Sequence, residues 1–172
     1  DDQFDDGGGT LSMTARVAQI IFTATQFDNV DSVQFWIDGE PIEYLGGEGL
    51  ILTDPQSRID VARELSGSVI VDTPAYGATV GNPFTVTGEG DVYEAQFPIE
   101  VWRDGVQIGG IAPVTAGAWG IWGDFETTIT LDASIASGPI ELVTYDEGGC
   151  GDDPECPEII KTVVPLTYSG SA

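Results

Sequence analysis

The stretch "VYEAQFPIEVWRDG", Val92–Gly105, sets Tyr93, Ala95, Phe97, Ile99 and Val101 at alternate positions, with Glu94, Gln96, Pro98 and Glu100 between them. A period of two is the mark of a half-buried strand. A proline in its middle cannot donate to a sheet ladder, which places this strand at a sheet edge with its missing donor toward solvent. Glu94 and Glu100 then read as charges on an outer face that discourage edge-to-edge pairing.

Similar runs recur from Ser68 onward, broken by Gly, Pro, Asn and Asp. They are Val69–Asp72, Pro83–Glu89, Ala95–Arg103, Gln107–Val114, Ile121–Leu131, Ile140–Tyr145 and Ile159–Tyr168. Seven short strands at this spacing predict a mainly β fold, an immunoglobulin-like β-sandwich. Expected inward residues include Val69, Phe84, Phe97, Phe125, Ile160 and Leu166.

Upstream, Val17, Ile20, Ile21 and Ala24 follow helical spacing, with Ser12 as N-cap and an end near Asp28–Asn29. Asp38-Gly39 is a two-residue hairpin signal, so Asp31–Leu45 reads as a β-hairpin packed on that helix. Residues 46–67 read as a connector with a short strand at Leu50–Leu52. One helix and one hairpin make a thin core for a small α/β unit.

The 172 residues carry 29 acidic and five basic side chains, for a net charge of −24, and 41% of them are hydrophobic. That is enough apolar content for a core, and the field excludes nucleic acid as a partner. There is no histidine, which removes Ser/His and Cys/His nucleophiles. No Gly-x-Ser-x-Gly elbow and no phosphate-binding loop occurs. An enzyme is not expected.

Cys150 and Cys156 enclose "GDDPE". A disulfide between them points to an oxidising compartment and is worth about 2 kcal/mol for so short a loop; two free thiols are the alternative. Asp146, Glu147, Asp152, Asp153 and Glu155 crowd the same segment. They are calcium candidates by ligand chemistry, but their spacing does not match the EF-hand template, and a solvated acidic loop explains them equally. No cofactor is otherwise expected. Trp102, Trp119 and Trp122 are candidates for a binding surface, since exposed tryptophans anchor protein partners or stack on sugars; covering the end of the sandwich is the alternative.

"PAYGATVGNPFTVTGEGDVYEAQFPIEVWRDG" resembles the immunoglobulin-like domain of bacterial spore germination. The resemblance rests on Pro74, Gly77, Val80, Pro83, Val86, Thr87, Gly88, Tyr93, Glu94 and Ala95, with Gly123-Asp124-Phe125 further on, and runs over about 68–168. "RVAQIIFTATQFDNVDSVQFWIDGEPI" is similar to the C-terminal half of the sporulation and spore germination GerMN domain, over about 10–62. The resemblance implies a partial GerMN-like segment with linker at 1–65 and an immunoglobulin-like domain at 66–172. It implies a secreted or envelope-attached, non-enzymatic module whose partner is an envelope protein or a cell-wall glycan. Membrane contact is expected only through a lipid anchor N-terminal to this chain, and an incomplete first unit leaves self-association open. Because Glu94 belongs to the family motif, it is expected to cap backbone N–H groups of its turn.

Overall fold

The computed structural model describes residues 9–27, 29–45, 50–148 and 159–170. The chain divides into two units, Asp1–Leu65 and Ser66–Ala172.

In the first unit, helix α1 (Thr10–Ala24) buries Met13, Thr14, Val17, Ala18 and Ile21. The buried stripe is thus rotated from the expected one, and Ile20 is exposed. Gly9 rather than Ser12 is the N-cap; its carbonyl accepts from the Ser12 and Met13 amides at 2.9 and 3.2 Å. The helix ends earlier than expected, because the Thr25 hydroxyl and amide both donate to the Ile21 carbonyl, at 2.7 and 2.8 Å.

Six two-residue strands follow: β1 (Ser32–Val33), β2 (Trp36–Ile37), β3 (Glu40–Pro41), β4 (Tyr44–Leu45), β5 (Leu50–Ile51) and β6 (Gln56–Ser57). β2 and β3 form the expected hairpin, with Asp38 and Gly39 both at positive φ. It is narrower than expected, since β1 pairs with β6 and β4 with β5.

Helix α2 (Arg58–Leu65) occupies what read as connector. Ser57 and Asp60 cap it reciprocally: the Asp60 carboxylate accepts the Ser57 amide at 2.8 Å, and the Ser57 hydroxyl accepts the Asp60 amide at 3.4 Å. These bonds hold the Asp60 carboxyl below its ordinary value. Val61 joins Met13, Val17, Ala18, Ile21, Leu45 and Leu52 in one small core. Arg58 fastens α2 to α1, donating to the Phe22 carbonyl at 2.9 Å with its guanidinium 4.8 Å above the Phe22 ring.

The second unit is the predicted sandwich. Its strands are β7 (Val69–Thr73), β8 (Thr79–Val80), β9 (Phe84–Gly90), β10 (Gln96–Arg103), β11 (Val106–Thr115), β12 (Gly123–Ile129), β13 (Gly138–Tyr145) and β14 (Lys161–Tyr168). One sheet has the order β11-β10-β13-β14-β8 and the other β12-β9-β7. All seven expected runs are strands, and β8, which pairs parallel to β14, is additional. Ile160 is a correction. β14 starts one residue later, its inward side chains are Val164, Leu166 and Tyr168, and Ile160 is 70% exposed.

Pro98 is a second correction, because β10 is not an edge. It is paired on both sides, by β11 and β13. The proline is tolerated because the ladder is broken where it sits. The β11 register shifts between Phe97 and Ile99, and pairing with β13 begins only at Ile99. The Pro98 carbonyl is still used, accepting the buried Thr144 hydroxyl at 2.9 Å.

The sheets meet where Phe97 and Phe125 pack edge to face, centroids 5.0 Å apart. Gly88 makes room for that contact. A Cβ there would run into the Ile70 carbonyl oxygen and lie 2.9 Å from the Phe125 ring. Gly88→Ala is therefore expected to cost about 1–3 kcal/mol through overpacking. Gly81→Ala, whose nearest neighbour would be Ser169 Oγ at 3.9 Å, is the control. Thermal unfolding of the two variants checks this: a lowered Tm for the first and little change for the second.

Candidate functional site

Three loops are tied together beside the start of β10: Asp91–Ala95, Ala116–Trp122 and Asp146–Gly148. Backbone bonds join the first two. Gly117 donates to the Gly90 carbonyl and Val92 to the Gly117 carbonyl, each at 3.0 Å, and Ala116 donates to the Ala95 carbonyl at 3.1 Å. Two carboxylates complete the frame. Asp91 Oδ1 accepts the Gly120 amide at 3.0 Å. Asp146 accepts the Tyr93 amide at 3.1 Å and the Gly148 amide at 3.0 Å. Charge-assisted bonds of this kind are about twice as strong as neutral ones.

Trp119 stands on this frame. Ala118–Ile121 closes a turn in which Ile121 donates to the Ala118 carbonyl at 3.2 Å, with Trp119 at φ 60 and Gly120 at φ 82. Both central residues are left-handed, a backbone that suits Asn, Asp and Gly and penalises a bulky side chain. Trp119 holds that conformation while 75% exposed. Its indole meets the Tyr93 ring at 5.3 Å, with the planes 65° apart. Glu94 and Ala95 are also left-handed, at φ 56 and 57. Glu94 and Glu147 are exposed on either side.

The expected cap on the Glu94 turn comes from elsewhere: Asp146 is the carboxylate that takes the Tyr93 amide. Asp91 was not singled out in the sequence. Its signal is local, an aspartate following the "GEG" run that ends β9.

A second polar group lies on the outer face of the five-stranded sheet. Glu100 Oε2 accepts the Trp102 indole N–H at 2.8 Å, and Oε1 accepts the Tyr145 hydroxyl at 3.1 Å. Lys161 Nζ sits 4.7 Å from the Tyr145 ring centroid. Glu100 is therefore bonded on a central strand, not a free charge guarding an edge. Burial first, and then the hydrogen bond to Glu100, push the Tyr145 hydroxyl up to about 12.

Of the three candidate tryptophans, only Trp119 is exposed; Trp102 and Trp122 are half-buried. Trp102 is engaged by Glu100 and lies apart from the loop frame. Pro74 is buried, Pro83 follows a cis peptide bond, and Gly77 at φ 76 donates to the Pro165 carbonyl at 2.8 Å. Cys150, Cys156, Asp152, Asp153 and Glu155 lie outside the described residues. Among the described residues no group of three or more His, Cys, Asp or Glu side chains is arranged to hold a metal ion.

A folded-state value raised above the unfolded one means that the folded chain retains a proton the unfolded chain releases. Tyr145 thus makes stability fall as pH rises from about 10 to about 12. Glu100→Gln is expected to lower the Tyr145 value while leaving it above 10, since burial persists. Ultraviolet titration of tyrosinate checks this, and an unmoved value contradicts the hydrogen bond.

Residues 68–150 match the family model of the immunoglobulin-like domain of bacterial spore germination, and residues 1–43 match that of sporulation and spore germination. The second match spans α1 and the β2–β3 hairpin but ends before α2. No curated protein matches the chain. The chain is related to sporulation and spore germination proteins and carries an immunoglobulin-like domain.

Proposed function

We propose that the protein is a non-enzymatic binding and assembly module of the bacterial cell envelope, working outside the cytoplasm, and that the Trp119 loop frame is its contact surface. One observation carries the reading. A tryptophan is held in a left-handed backbone, mostly in solvent, by a frame of carboxylate-to-amide bonds. Such a conformation costs about 1–2 kcal/mol relative to glycine. Stored backbone strain of this kind concentrates at sites that present a side chain to something. Large aromatic side chains on a rigid support are the usual anchors of protein interfaces. The lack of histidine supports a role without catalysis.

A cell-wall glycan is the second reading, because the exposed indole of Trp119 also suits stacking on a sugar ring. The Tyr93 ring, 65° from it, makes a corner rather than a flat platform, and this favours the protein partner.

Trp119→Ala and Trp119→Gly separate presentation from folding. Trp119→Gly relieves the left-handed backbone and loses one ring contact worth about 0.5–1.5 kcal/mol, so its Tm is expected to stay close to that of the parent. Retention of a defined envelope component is expected to weaken about 30-fold or more in both variants, as for an anchor worth about 2 kcal/mol. Indole fluorescence titrated with cell-wall glycan fragments tests the second reading. Unchanged retention in both variants contradicts the proposal.

A further inference from the structure

We infer that the corner between Trp119 and Tyr93 receives a lysine or arginine side chain from a basic segment of the partner protein. The inference rests on reading this frame as the contact surface and names the chemistry that it takes. Two rings 5.3 Å apart and 65° from parallel form two walls of a recess, the shape that surrounds a compact cation rather than a flat ring. An aromatic face attracts a cation through its quadrupole, and exposed carboxylates at Glu94 and Glu147 flank the recess on two separate loops.

The unit supplies no cation of its own to this place. Arg103 and Lys161 are its two basic residues. Arg103 Nε donates to the Pro139 carbonyl at 3.1 Å, and Lys161 lies over Tyr145. Asp91 and Asp146 are bonded to loop amides, so they contribute field without collapsing onto the rings. The chain already satisfies cations in this way at Arg58 on Phe22 and Lys161 on Tyr145. A net charge of −24 attracts basic segments and speeds their encounter.

Charge alone would draw a basic peptide to many places, so the test must resolve position. The full chain is titrated with a capped Gly-Lys repeat peptide, the matching Gly-Glu peptide and an N-acetylglucosamine oligomer, and followed by amide and indole resonances. The lysine peptide is expected to move the Trp119 indole and the Tyr93 and Gly120 amides in a saturable manner, with the effect reduced by salt. The other two probes should not move them. Trp119→Ala should weaken this about ten-fold. Glu94→Gln with Glu147→Gln, both exposed and harmless to folding, should weaken it about five-fold.

Equal perturbation at the Asp72, Asp124 and Glu126 face, or preference for the glycan, overturns the inference. If that happens while Trp119→Ala still abolishes partner retention, the contact surface stands and only its chemistry is wrong. If Trp119→Ala leaves retention intact, both fall.

Discussion

Phe97 meets Phe125 across the sandwich only because residue 88 has no side chain. Everything described in the second unit depends on that approach of the two sheets. The chain carries a large unbalanced negative charge, which opposes compaction, and five basic residues cannot neutralise it. Apolar burial between the sheets must therefore supply the cohesion. Val86, Ile99, Val101, Ile129 and Leu142 are almost fully buried in this layer. Self-repulsion shows at its margin. Burial first, then the neighbouring Glu89 and Asp124, push the Asp72 carboxyl above its ordinary value.

The loop end is built on the same core. β9 leads through Asp91 and Tyr93 into β10, and β11 leads through Gly117 and Trp119 into β12. Gly117 lies so close to the Ile121 carbonyl and the Gly123 amide that no Cβ fits there. With the strands fixed, Asp91 and Asp146 need only span short gaps to backbone amides. Some of the excess carboxylates are thereby turned to structural use, and Trp119 is left standing outside the core.

Much of this was legible in the sequence. Alternation by two located all seven principal strands, because each buries one face against the opposite sheet. Asp38-Gly39 located the hairpin because few other residue pairs tolerate its backbone. What escaped had other causes. Helix α2 has only Val61 buried, so its apolar periodicity is faint; the Ser57-x-x-Asp60 capping box was its one clear signal. β8 is two residues long. Pro98 marked an edge by rule, yet a register shift lets a central strand hold it, and no one-dimensional pattern reveals a shift in the partner's register. Of the site, Trp119, Tyr93 and Glu94 were visible as residue types. The roles of Asp91 and Asp146 were not, since their amide partners lie 29 and 53 positions away.

The central claim is that the loop end is a preformed surface and not a set of independent loops. Hydrogen exchange at the Tyr93 and Gly120 amides tests it most directly, because a carboxylate from a different loop shields each one. The account predicts that both exchange well below unstructured-chain rates and that replacing Asp146 or Asp91 with alanine releases the corresponding amide. Exchange of both amides at unstructured-chain rates in the intact protein would contradict it.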